Sequence, residues 1–247
     1  MIENPEFVYI HLAKSGGSSI RAILRDCFGF VEDRSKTHVP AYFLRDVIAE
    51  RRVLGSVRNP LSWYESRLNY PHFRKRPLPF RGSHSLDFIE LSSFIQGMAD
   101  KSFLDENEDL IWRREEFEVK PFKIMKRKRI GFMTFEFLFT YCRDLTLLTN
   151  DSAHLEIDFE TDLMVRDWIL TERIAQSVVG MLQKPEFHAL AQARRCAMDE
   201  IMNYRVVNSR PANHVKELSA EDADIINALD GPLIAFHKHL SALVSGD

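Results

Sequence analysis

The chain predicts an α/β fold: a parallel sheet flanked by helices, with a mainly helical C-terminal part, within 247 residues. Two stretches carry that prediction, 7–20 and 52–67, each an apolar run that ends in a turn and passes into a helical pattern. The third observation is order. Strand, turn and helix patterns alternate as far as Leu68 and then give way to helical spacing, as in parallel sheets with right-handed crossovers.

The first stretch reads Phe7-Val8-Tyr9-Ile10-His11-Leu12-Ala13-Lys14-Ser15-Gly16-Gly17-Ser18-Ser19-Ile20. Gly16 and Gly17 let the backbone turn sharply and approach a ligand, while Ser18, Ser19 and the open N–H groups of the first helical turn face it. The helix dipole and the Lys14 ammonium add positive potential, which makes the junction an anion site for phosphate or sulfate. Glycines between strand and helix also arise from packing alone. The loop is not of the Walker A type, because Lys14 precedes both glycines instead of following the second, and this disfavours a kinase or NTPase. Strand alternation sets His11 on one face with Phe7 and Tyr9, where a buried hydrogen bond is expected.

This segment resembles the 5′-phosphosulfate loop of sulfotransferases that use 3′-phosphoadenosine 5′-phosphosulfate (PAPS), where a Pro-Lys-Thr-Gly-Gly-Thr-Ser type of run is usual. Ala13 stands in the proline's place, and Ser15 and Ser18 replace threonines. The second stretch, Arg52 to Arg67, places Arg58 at the end of a strand and Pro60 in the first turn of a helix. Arg58, Asn59, Pro60 and Ser66 are similar, in order and spacing, to the family's 3′-phosphate motif. Arg58 read alone is equally a surface arginine paired with a carboxylate. PAPS carries anions on opposite sides of its ribose, so it needs two separate anion sites, and arginine grips a phosphate through parallel N–H bonds.

The resemblance implies a P-loop-NTPase-like domain over 1–247 that moves a sulfuryl group from PAPS to an acceptor. It also implies that Lys14 stabilises the departing phosphate and that the loop hydroxyls and amides hold the group in line. Between the motifs, His38 is followed by Val39-Pro40, as in a segment of bacterial and carbohydrate sulfotransferases. An imidazole that titrates near neutrality suits the base that takes the acceptor's proton; a helix cap is the competing reading. Glu65 and Asp87 are weaker candidates for that base. Near the C-terminus, Val207-Asn208-Ser209-Arg210-Pro211 resembles a late family loop, so Ser209 and Arg210 are expected to close over the nucleotide. The alternatives are a P-loop-like nucleotide kinase and a protein that binds a nucleotide without catalysis.

Formal net charge is −3, so no global basic field argues for nucleic acid. The histidines show no metal-ligand spacing, and no metal is expected. Three widely spaced cysteines, Cys27, Cys142 and Cys196, suggest reduced thiols and a cytoplasmic setting, and a strand beginning at Phe7 leaves no room for a signal peptide. The apolar run 131–142 is too short to span a bilayer, is interrupted by Glu136 and reads as a core element. Basic stretches at 67–85 (Arg67, Arg74, Lys75, Arg76, Arg81) and 120–129 flank an acidic stretch at 105–118. They either pair with those acids or, for the first stretch, border the cleft and contact a carbohydrate or glycoconjugate acceptor. Further along, a strand is expected within 162–168, a helix carrying Ile174, Val178 and Leu182, and a helix over 220–229 capped by Ser219 with Asp222. Gly231-Pro232 then starts another helix.

Overall fold

The computed structural model describes residues 1–33, 39–48, 50–69, 90–114, 117–204 and 217–246. Strands β1 (Ile2–Glu3) and β2 (Phe7–Tyr9) form an antiparallel hairpin. Asn4 makes its turn, because its Oδ1 accepts the N–H groups of Glu6 at 2.9 Å and Phe7 at 2.8 Å. Then come α1 (Gly17–Phe28), β3 (Val31–Glu32), a 3₁₀ turn at Ala41–Leu44 that runs into α2 (Arg45–Ile48), β4 (Arg52–Val57) and α3 (Pro60–Leu68). The next section holds α4 (Leu91–Ala99), α5 (Lys101–Glu106), the antiparallel pair β5 (Trp112–Arg114) and β6 (Phe117–Val119), α6 (Pro121–Lys128), α7 (Phe132–Tyr141) and α8 (Thr146–Thr149). Strand β7 (Asp167–Leu170) returns to the main sheet, followed by α9 (Ile174–Met181), α10 (Pro185–Ala193), α11 (Met198–Met202), α12 (Ala220–Leu229) and α13 (Gly231–Ser245).

The main sheet runs β3-β1-β2-β4-β7. Three of its strands, β2-β4-β7, run parallel, with Tyr9 beside Leu54 and Leu54 beside Asp167. The sheet as a whole is mixed, which corrects the expectation of an all-parallel one, since β1 pairs antiparallel with both β2 and β3. The N-terminal hairpin also moves the first strand to Ile2, ahead of Phe7.

Alternation along the strands divides the core into two layers. Phe7, Tyr9, Leu54 and Ile169 face one side, where they pack with Ile20, Leu24 and Phe28 of α1 and with Val178 and Phe187 from α9 and α10. Val8, Ile10, Val53 and Val57 face the other, against α3, α4, α6, α7 and the C-terminal helices. All of α7 is buried, as expected of a core element. Its Glu136 meets Arg67 of α3 at 3.3 Å, and the Arg67 guanidinium stacks 4.0 Å over the Trp63 ring. Arg67 is therefore an internal charge and takes no part in a basic rim, a correction to its grouping with 67–85.

Several local expectations match. Pro60 opens α3, and α12 occupies Ala220–Leu229 with Ser219 accepting the Asp222 N–H at 3.0 Å. The reciprocal half of that capping box is replaced: the Asp222 carboxylate accepts the Ser92 hydroxyl at 2.8 Å. The strand expected within 162–168 lies at Asp167–Leu170, because Asp158 and Asp162 build a turn and Leu163 makes only an isolated bridge with Cys142. The cysteines also differ from expectation. Cys27 at the end of α1 and Cys196 after α10 form a disulfide, with their Cα atoms 5.2 Å apart, and Cys142 is a buried free thiol. The pairing arises because α10 packs against α1, so residues far apart in sequence meet.

Candidate functional site

Three loops leave the C-terminal ends of the neighbouring parallel strands and meet at one edge of the sheet. The Lys14 loop follows β2, Arg58-Asn59 follows β4, and a 3₁₀ turn at Thr171–Arg173 follows β7. Open α/β sheets bind ligands in the crevice at this edge.

In the first loop two residues take the left-handed backbone conformation, Lys14 at φ 64° and Gly16 at φ 69°. Gly16 adopts it freely, whereas at a lysine it costs about 1–3 kcal/mol and persists only where the surroundings hold it. Those surroundings are visible. The Lys14 carbonyl accepts the Arg58 Nη1–H at 2.9 Å, and the Ala13 carbonyl accepts the Trp63 indole N–H at 2.9 Å. Gly16 abuts β7's turn, where an added Cβ would lie 3.0 Å from Ile174 Cδ1 and 3.3 Å from Thr171 Cγ2. At Gly17 an added Cβ would lie 1.9 Å from His11 Nε2, so the histidine ring presses on the first turn of α1. His11 shares the Tyr9 face as expected, with ring centroids 6.3 Å apart. It is half-buried beside the loop, and not enclosed in the core.

Helix α1 has no side-chain cap and no acid in its first turn. Its first intrahelical bond is Ile20 N–H to the Gly16 carbonyl at 3.0 Å, so the N–H groups of the first turn, from Gly17 on, point out of the start of the helix. Ser15 is fully buried, and its hydroxyl has no hydrogen-bond partner among the described residues. Ser18 is exposed and Ser19 buried. A buried hydroxyl beside an uncapped 12-residue helix suits an anion with several acceptor oxygens.

Arg58 donates Nη1–H to Lys14's carbonyl and Nε–H to the Ser62 hydroxyl at 3.0 Å. Asn59 caps α3 and accepts the N–H groups of Leu61 at 3.0 Å and Ser62 at 3.5 Å. Ser66 lies on α3 one turn beyond Ser62, on the same face. The arginine is thus directly bonded to Ser62, with the motif serine further along the stripe.

Glu172 joins the third loop to the second. Its Oε1 accepts the Asn59 N–H at 3.0 Å and the Ser62 hydroxyl at 2.7 Å, while Oε2 accepts Nε2–H of His237, from α13, at 3.0 Å. Burial pushes the carboxyl upward, but the hydrogen bonds from His237 and Ser62, the His237 charge and the Asn59 N–H outweigh it and bring the pKa to about 2. Sequence reading missed Ser62, Glu172 and His237. The Ser62 to Ser66 spacing along α3 was the one available signal. Glu172 and His237 belong to elements whose meeting depends on sheet order.

Of the residues expected at the site, Lys14, Ser15, Gly16, Gly17, Ser18, Ser19, Arg58 and Ser66 sit on the two facing loops and their helices. His38, Ser209 and Arg210 lie outside the described residues, as do Asp87 and the basic residues from Arg74 to Arg81. The second basic stretch pairs with the acids: Lys120 with Asp109 at 2.6 Å, Lys126 with Asp105 and with Glu108 at 2.7 Å. No group of metal-ligating side chains occurs among the described residues, and none of their helices is long and apolar enough to cross a membrane. No family model matches the chain, and neither the curated proteins nor the solved structures include a match to it.

Proposed function

We propose that the chain is a PAPS-dependent sulfotransferase of the P-loop-like class. The observation that carries this reading is the bond between the Arg58 guanidinium and the Lys14 carbonyl. It ties the two motifs into one unit at the ends of adjacent parallel strands, as a donor with two anionic groups requires. The buried Ser15 hydroxyl and the uncapped start of α1 fit the 5′ end of that donor, and Arg58 with the Ser62–Ser66 stripe fits its 3′-phosphate.

The bound donor supplies the sulfuryl group. Lys14 and the amides of Gly17, Ser18 and Ser19 stabilise negative charge that develops on the leaving phosphate, as fixed donors do in phosphoryl transfer. His38 takes the acceptor's proton. Catalysis under this reading is mostly positioning and charge stabilisation. The acceptor is a carbohydrate or glycoconjugate, a choice resting on the basic, aromatic sequence from Arg74 to Arg81. The cytoplasmic setting read from the cysteine count now has the Cys27–Cys196 disulfide against it.

Transfer from radiolabelled PAPS to a panel of saccharide acceptors tests the proposal. The wild-type protein should label at least one. His38→Ala should lose about 10²- to 10⁴-fold in turnover, the usual worth of a general base, with bisphosphate affinity retained. Turnover equal to wild type would remove His38 from the mechanism. Tight donor binding with no acceptor labelled would favour a nucleotide-binding protein without transferase activity.

A further inference from the structure

We infer that Glu172 is a positioning residue that aims Arg58 at the 3′-phosphate, and that His237 of the C-terminal helix holds Glu172 in place. The inference rests on the sulfotransferase reading of the site and extends it to residues outside both motifs. Three observations carry it. First, the Ser62 hydroxyl has one hydrogen and two acceptors within reach, Glu172 Oε1 at 2.7 Å and the Asn59 carbonyl at 3.1 Å; given to the nearer carboxylate, that hydrogen leaves the oxygen to accept Arg58 Nε–H at 3.0 Å. The serine therefore relays the carboxylate's position to the guanidinium. Second, the same carboxylate oxygen takes the Asn59 N–H, which fixes the start of α3 and the backbone next to Arg58. Third, Glu172 shares its turn with Thr171 and precedes Ile174 by two residues, the residues that lie against Gly16, and the Thr171 hydroxyl donates to the Val57 carbonyl at 3.1 Å at the end of β4. One short turn thus touches both anion loops.

The arrangement makes chemical sense for a guanidinium that must meet a phosphate in a fixed plane. Arginine recognises phosphate through a fork of N–H donors, so rotation about its stem destroys the two-point match even when the charge stays nearby. Bonds at Nε and Nη1 set the orientation of that plane. Without Glu172 the Ser62 hydroxyl turns to the Asn59 carbonyl, 3.1 Å away and within its own helix turn, and its hold on Arg58 is no longer tied to β7. His237 is nearly buried and reaches Glu172 from α13, so the C-terminal helix becomes part of the site although it bears no motif.

The test compares two ligands by calorimetry: adenosine 3′,5′-bisphosphate and adenosine 5′-phosphate, which lacks the 3′ group. Glu172→Ala should lower the affinity ratio between them by about tenfold, equivalent to one charged hydrogen bond, while adenosine 5′-phosphate binds as before. Glu172→Gln keeps an oxygen acceptor for Asn59 and Ser62 and should restore most of the ratio. His237→Ala should move the ratio in the same direction by a smaller factor, and Glu172→Ala should add nothing in an Arg58→Ala background. If Glu172→Ala weakens both ligands equally, Glu172 is merely structural and the inference is overturned. A wild-type protein that discriminates, with a ratio unchanged in Glu172→Ala, also overturns it and leaves the sulfotransferase reading intact. A wild-type protein that does not discriminate at all overturns both.

Discussion

At the residue scale the most informative position is Lys14, a lysine held at φ 64° with its carbonyl bonded to Arg58. Its charge and its backbone conformation make separate contributions, which one substitution can separate. Lys14→Gly removes the ammonium and relieves the left-handed strain, so thermal stability should hold or rise by up to about 1 kcal/mol while bisphosphate affinity falls about tenfold or more. A glycine variant that binds as well as wild type would deny the lysine a role in the site. Arg58→Ala should weaken bisphosphate binding by roughly 1.5 to 3 kcal/mol, and unaltered affinity would reject its assignment. Sequence placed both residues where apolar runs end in turns, and the structure puts those turns at the ends of β2 and β4, but the bond that joins them could not be read from either motif alone. Glu172 was illegible for a physical reason. Its partners Asn59, Ser62 and His237 come from three other segments, and only the β2-β4-β7 order brings them together.

At the scale of elements, what sequence showed well were features encoded within a few residues: the Pro60 start of α3, the Ser219 cap of α12, the Gly231-Pro232 start of α13 and the buried run of α7. What it missed was non-local. The antiparallel β1 and β3 depend on a turn made by the Asn4 side chain, and the register of β7 is set by its pairing with β4. The disulfide is the same kind of case, since nothing local marks Cys196 as the partner of Cys27, 169 residues away. Thiol labelling of the unfolded, unreduced protein should modify Cys142 alone, and all three cysteines after reduction. Three labelled thiols before reduction would contradict the pairing. Closing so long a loop constrains the unfolded chain strongly, so Cys196→Ala should cost about 2–5 kcal/mol of stability.

For the whole molecule, two layers of core on a mixed sheet leave one edge, at the ends of β2, β4 and β7, where the loops gather. The C-terminal helices close the far layer through Asp230. That buried carboxylate takes the Thr134 N–H at 2.7 Å and the Tyr64 hydroxyl at 3.2 Å, yet burial outweighs these bonds and raises its pKa from 3.8 to about 6. The folded state therefore holds this proton more tightly than the unfolded chain, and its stabilising effect fades as pH rises from about 4 through 6. Glu172 acts in the opposite sense: its stabilising effect is complete above about 4.5 and is lost as pH falls towards 2. Asp230→Asn should flatten the first of these slopes, seen as a smaller loss of denaturant midpoint between about pH 4 and 6; an unchanged slope would show that Asp230 does not titrate there. The central claim is that both anion loops grip one nucleotide, and calorimetric titration with adenosine 3′,5′-bisphosphate tests it most directly. The prediction is saturable one-to-one binding without magnesium, tighter than for adenosine 5′-phosphate and weakened by Lys14→Gly and by Arg58→Ala. Absence of binding, or a preference for ATP with magnesium, would contradict it.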